Sequence, residues 1–161
     1  MLYLPDETYS LVERAVPIAC VDFVPHRVSA ASEHVGLILR DSPFGRVWCH
    51  LGGRIGRGET IRDALDRHAR ETLNVTLLLD EDPQPKHVYQ WFPSDDRPAS
   101  AERIAHGDDP RKHAIGLSYL VEMEGVPQAR NEALDFAWFD LASLPTPLWP
   151  GCEALIERLT A

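Results

Sequence analysis

The sequence predicts a single α/β domain, and three observations predict it. Apolar, β-branched runs of strand length recur along the chain. One segment, 60–74, carries Ile61, Ala64, Leu65, Ala69 and Leu73 at helical spacing. The chain has 161 residues, enough for one core and too few for two comfortable ones.

Each element follows from its local pattern. Residues 6–14 open with polar groups and place Tyr9, Val12 and then Val16 at helical spacing, which suits a short helix or arm. The run 16–24 is apolar except for Asp22 and reads as a buried strand, followed by strands at 34–40 and 46–50. The segment LGGRIGRGET contains four glycines and reads as a loop into the 60–74 helix. Thr60 is its expected N-cap, with Asp63 completing a weak capping box, and Asn74 suits the left-handed residue at its end. Strands are expected at 75–79, 86–92, 113–123 and 134–139, and a closing helix at 151–159. Residues 93–112, rich in Pro, Asp and Ser, lack apolar periodicity and read as a long loop.

Composition narrows the function. A net charge of -9 argues against general nucleic-acid binding, which needs a basic field, but leaves room for a small anionic ligand held by a few converging arginines. The three cysteines, Cys20, Cys49 and Cys152, form no CxxC pair, so neither zinc nor a disulfide framework is indicated. With no basic leader and no apolar run of membrane-spanning length, a cytoplasmic protein without membrane partners is expected.

The chemistry concentrates in Gly53-x5-Glu59-x7-Arg67-His68-Ala69-Arg70-Glu71-Thr72-Leu73-Asn74-Val75. Carboxylates at i, i+3 and i+4 share one helix face, where they hold hard divalent cations against a diphosphate. The segment resembles the Nudix box, a glycine loop leading into a helix that reads Arg-Glu-apolar-x-Glu-Glu-x-Gly-apolar. Gly53, Glu59, Arg67, Ala69, Glu71 and Val75 match, whereas His68, Thr72 and Asn74 stand where the pattern has Glu, Glu and Gly. Trp48-Cys49-His50-Leu51-Gly52-Gly53-Arg54 resembles the strand end before the box, and the run from Asn131 to Leu141 resembles the late strand with its tryptophan. The resemblance implies the Nudix fold, a mixed β-sheet sandwiched between helices.

Within that superfamily the chain is most similar to the GDP-mannose hydrolase branch, from the 11–23 segment to Trp138. By that resemblance Asp22, Arg40 and Arg54 contact a nucleotide sugar. Two guanidiniums fork onto diphosphate oxygens, and a carboxylate accepts from a sugar hydroxyl or a base amine. The ordinary alternative is that the arginines are solvated ends and Asp22 binds backbone, although burial of an unpaired carboxylate is costly. Where the branch has a metal-binding amide and then a base histidine, this chain has Glu132 and Ala133, and the branch's helix ligand falls on Thr72.

The resulting expectations are Mg²⁺ or Mn²⁺ held weakly by Glu71, Glu132 and the Gly52 carbonyl, with His68, Glu71 and Glu132 as catalytic groups. His68 is the best-placed imidazole for base or ligand, ahead of His113 and His50, each of which also reads as a surface or structural histidine. Trp91 and Tyr89 lie two apart on the strand that also carries His87 and Gln90, offering an aromatic face for a base or simply core packing. Trp91 and His113 are candidate substrate-binding residues. Arg111-Lys112 reads as a solvated loop with phosphate as the less ordinary use. The expected substrate is a nucleoside diphosphate joined to another moiety. The alternatives are a Nudix-fold binding module that has lost efficient turnover, or a scaffold for protein contacts. The branch also implies a homodimer through residues 1–24.

Overall fold

The computed structural model describes residues 4–161. Its elements in chain order are α1 (Asp6–Ala15), β1 (Ile18–Ser29), β2 (Ser32–Ser42), β3 (Gly45–Cys49), β4 (Leu51–Arg54), α2 (Ile61–Leu73), β5 (Thr76–Leu78), β6 (His87–Phe92), β7 (His106–Asp108), β8 (Ala114–Glu124), β9 (Asp135–Asp140) and α3 (Cys152–Thr160). Of the expected arm at 1–24, residues 1–3 lie outside the described residues.

The long strand β1 organises the sheet. It pairs parallel with β8 from Ile18 to Pro25, antiparallel with β4 from Cys20 to Phe23, and antiparallel with β2 from His26 to Ser29. The strand order β3-β2-β1-β8-β6-β7 is mixed, with β9 on β2 and β5 on β8. Val21, Phe23, Val35, Leu37 and the α2 residues Ala64, Leu65, Ala69 and Leu73 are fully buried in the core. Cys152, Leu155, Ile156 and Leu159 of α3 are fully buried as well.

Helix α2 forms as its sequence dictates. The Thr60 hydroxyl accepts from the Asp63 N–H at 3.1 Å, while the Thr60 N–H donates to Asp63 Oδ2 at 3.4 Å, closing the capping box. Asn74 ends the helix in the left-handed conformation at φ 55°.

Two expectations change. The first four residues of the glycine segment are a strand, because Gly52 and Gly53 pair with Asp22 and Val21 of β1. Glycine is required there: Gly52 has φ +132°, and a Cβ would overlap the Val21 carbonyl oxygen. The stretch 93–112 is also not a plain loop. It forms two 3-10 turns, at Ser94–Asp96 and Ala99–Arg103, and then strand β7, which pairs parallel with β6 at Gln90, Trp91 and Phe92. Three residues are too few for periodicity to register. Among the described residues no helix is long and apolar enough to cross a membrane, and all three cysteines are buried free thiols.

Candidate functional site

The site begins with strand alternation. Side chains two residues apart share a sheet face, and the registers Cys20↔Gly116, Asp22↔Gly52 and Tyr89↔Gly116 bring β1, β4, β8 and β6 together there. On this face a small cleft opens, floored by Cys20, Asp22, His50, Gly52, Gly53 and Trp91 and walled by Arg40, Asp109, Arg111, Lys112 and Trp149.

Asp22 is 4% exposed and is the polar centre of the floor. The Trp91 indole N–H donates to Asp22 Oδ2 at 2.9 Å, and His50 Nε2 lies 3.3 Å from Oδ1. His50 stacks on Trp91 with ring centroids 4.8 Å apart. Two glycines make room, since a Cβ on Gly116 would overlap the Asp22 carboxylate and one on Gly107 would overlap the Trp91 ring. This buried carboxylate is therefore paired, as the cost of burying a charge demands. Trp91→Phe leaves Asp22 Oδ2 without its indole donor and is expected to cost about 1–3 kcal/mol, read from urea unfolding.

The walls carry Arg40, Lys112 and an Arg111–Asp109 ion pair. Arg40 and Arg111 lie over the same Trp149 ring, at 5.5 and 5.4 Å from its centroid. Trp149 is held by its indole N–H, which donates to the Asp108 carbonyl at 2.6 Å. Arg111 forks onto the buried Asp109 carboxylate through Nε at 2.9 Å and Nη2 at 2.8 Å, and this pairing pushes the guanidinium further into its charged range. Burial pushes the Cys20 and Cys49 thiols up to about 12, so both remain protonated in the cleft.

Beside the cleft, the box helix is tied to its glycine segment. Arg67 donates from Nε to Glu59 Oε1 at 2.6 Å and from Nη2 to Glu59 Oε2 and the Arg54 carbonyl, both at 3.0 Å. The Gly56 N–H donates to Glu59 Oε2 at 2.7 Å. The Arg67 guanidinium above all holds the Glu59 carboxyl down at about 2. His68 Nε2 is 3.0 Å from the Arg54 carbonyl, which requires the proton on that nitrogen. Its ring covers Gly53, where a Cβ would meet His68 Cε1 at 2.7 Å. Burial holds the His68 imidazole below its ordinary range, outweighing the hydrogen bond to Arg54.

The remaining expected residues divide. Glu71 lies near Arg67 Nη1 at 3.6 Å with its side chain 44% exposed. Glu132 Oε1 accepts from the buried Thr72 hydroxyl at 3.1 Å. Both carboxylates act on His68 electrostatically. Asp22, Arg40, Gly52 and Trp91 line the cleft, whereas Arg54, His68, Glu71, Glu132 and His113 do not. Arg54 lies over the Tyr9 ring of α1 at 4.1 Å, and His113 stacks on Phe92 at 4.6 Å. Trp91 is 4% exposed, with its N–H committed to Asp22 and one face against His50, so it serves as floor and not as an open stacking surface.

Among the described residues no three His, Cys, Asp or Glu side chains converge as metal ligands. Glu71 and Glu132 are already engaged by Arg67 and Thr72, so the donors do not suit an ion held by protein alone. They suit Mg²⁺ only in the manner in which one or two carboxylates share it with a substrate's phosphates.

Of the other cleft residues, His50 and the Arg111-Lys112 pair were secondary candidates in the sequence, whereas Trp149 was not among the candidates. His50 stands two residues before Gly52 and joins Asp22 in the cleft. Nothing local marks Trp149.

The model of a family described as a domain of unknown function, DUF4916, matches residues 2–148. The chain belongs to this family. No curated protein matches the sequence. Among solved structures, the chain is similar to a possible asymmetric diadenosine tetraphosphate hydrolase from Jonesia denitrificans, with 28% identity and a TM-score of 0.74 over 89% of this chain and 92% of the other. It also matches a MutT/nudix family protein from Enterococcus faecalis at 19% identity and TM-score 0.68, covering 98% and 74%. The NUDIX domain of Shewanella oneidensis NrtR, complexed with ADP ribose, matches at 21% identity and TM-score 0.58, covering 96% of each chain. The fold of this family member is thus the Nudix fold, and its structural neighbours include Nudix hydrolases.

Proposed function

We propose that the protein is a Nudix hydrolase acting on a nucleoside diphosphate joined to a second group, a nucleotide sugar by its resemblance to the GDP-mannose hydrolase branch. The observation that carries this reading is the convergence of Arg40, Arg111 and Lys112 on one cleft floored by Asp22 and the glycine strand. Guanidiniums and an ammonium take diphosphate oxygens, and a fixed carboxylate takes a donor group of the sugar or base. A structural neighbour complexed with ADP ribose supports the ligand class.

Glu71 is the proposed base for the attacking water, because its carboxylate is the more exposed of the two, while His68 keeps its Nε2 proton on the Arg54 carbonyl. Glu132, Glu71 and the Gly52 carbonyl are the proposed contacts of a Mg²⁺ or Mn²⁺ ion that arrives with the diphosphate. Such an ion would neutralise phosphate charge. A homodimer through the N-terminal arm is part of the same reading, supported by the absence of buried residues on α1 and by the exposure of Leu11 and Val16.

The test is incubation with Mg²⁺ and a panel of nucleotide sugars, ADP-ribose and dinucleoside tetraphosphates, with chromatography of the products. Turnover is expected, and Glu71→Gln should lower it by about 10²–10⁴-fold while leaving binding intact. Mg²⁺ alone should leave the melting temperature unchanged. Nucleotide with Mg²⁺ at 100 times its dissociation constant should add about 2.7 kcal/mol. Saturable binding with no product would favour the second reading, a binding module, which the Thr72–Glu132 hydrogen bond and the His68 substitution support.

A further inference from the structure

A nucleoside diphosphate in this cleft needs a surface for its base, and the tryptophans that line it do not supply one. Trp91 and Trp149 are 4% and 5% exposed, and Arg54 lies against one face of the half-buried Tyr9 ring. Phe44 differs. It is 41% exposed and stands edge-on to Trp149 with centroids 5.5 Å apart. Trp149 is the same ring over which Arg40 and Arg111 lie, so the phenyl stands immediately beside the cationic wall.

The hairpin that carries Phe44 holds it firmly. Ser42 pairs with Gly45 across the turn. The Ser42 hydroxyl donates to the Gly45 carbonyl at 2.6 Å and accepts from the Phe44 N–H at 3.0 Å. Arg46 and Asp41 bridge the strands below at 3.1 Å. Gly45 has φ +89°, which closes the two-residue turn without strain. A large apolar side chain on such a fixed, solvated tip is not part of the core cluster.

We propose that Phe44 is the base platform of the cleft, stacking the nucleobase of a ligand whose phosphates lie between Arg40, Arg111 and Lys112. The inference rests on the nucleotide reading of the cleft and adds the subsite that separates a nucleotide from a bare diphosphate. Stacking is tolerant of base identity because every base has a π-face, so the platform favours nucleosides over phosphates without choosing among them.

The test compares ADP, GDP and inorganic pyrophosphate by calorimetry on the full chain, for the native protein, Phe44→Ala and Phe44→Trp. The native protein should bind ADP and GDP more tightly than pyrophosphate. Phe44→Ala should lose about tenfold or more for both nucleotides, with pyrophosphate unchanged, and Phe44→Trp should retain nucleotide affinity. The pyrophosphate arm also reports any damage to the Trp149 wall. If pyrophosphate binds and Phe44→Ala leaves nucleotide affinity intact, or lowers both ligands alike, the platform is refuted and the cleft reading stands. If neither nucleotide nor pyrophosphate binds the native protein, both are refuted.

Discussion

Arg67→Ala is expected to destabilise the protein by about 3–5 kcal/mol, the cost of removing one partner from a buried ion pair. Arg67 is 9% exposed, and its guanidinium joins Glu59, the Arg54 carbonyl and the neighbourhood of Glu71. Its loss leaves Glu59 with the Gly56 N–H alone and unties the glycine segment from α2. Urea unfolding at neutral pH measures the effect directly. Its pH dependence supplies a second check. The folded Glu59 carboxyl sits at about 2, below the ordinary 4.5, so its contribution is complete above that ordinary value and is lost as the pH falls toward the folded one. The native protein should lose about 2–3 kcal/mol across that window through this group. Arg67→Ala should lose far less there, because its Glu59 returns toward the ordinary range. Parallel pH profiles for the two proteins would refute the pairing as the source.

Arg40→Ala is expected to weaken nucleoside diphosphate binding by roughly 10–100-fold, the equivalent of losing one charge-assisted fork of about 1.5–3 kcal/mol. Its guanidinium rests on Trp149 and near the Asp41 carbonyl at 3.4 Å, so its charge is directed to the cleft. Arg111 is a different case. Two of its nitrogens already bind Asp109, so the pair is close to neutral and Arg111→Ala also uncovers a buried carboxylate in the cleft. Asp109→Asn with Arg111→Ala should therefore recover part of the affinity that Arg111→Ala loses. Arg40→Lys should recover only part of the Arg40→Ala loss, since an ammonium keeps the charge without the planar fork. Calorimetry with ADP and pyrophosphate measures all four. Equal affinity in Arg40→Ala and the native protein would remove Arg40 from the site.

How much was legible in advance depends on the range of the interactions involved. Helix α2 was readable to its caps, because Thr60, Asp63 and Asn74 act within one turn of where they stand. The strands at β1, β2, β6, β8 and β9 were readable from apolar runs, with boundaries shifted by a few residues where pairing extends past the pattern. Strand β4 was hidden because glycines signal a turn locally, and only their approach to Val21 and Asp22 makes them a strand. Strand β7 was hidden by its length. Within the site, Asp22 announced itself as a lone carboxylate in an apolar run, and Arg40 and Gly52 came with the family resemblance.

By itself, then, the chain's order of residues determined the α/β class, the capped box helix, and the substitutions at His68 and Thr72 that thin its carboxylates. The tertiary structure alone decided that Arg111, Lys112 and Trp149 meet Arg40 over Asp22. That meeting depends on the parallel pairing of β1 with β8 and of β6 with β7, which joins segments 96 residues apart or separated by irregular turns. Side-chain periodicity reports which face a residue takes within its own element, and it carries no information about which distant element will lie against that face.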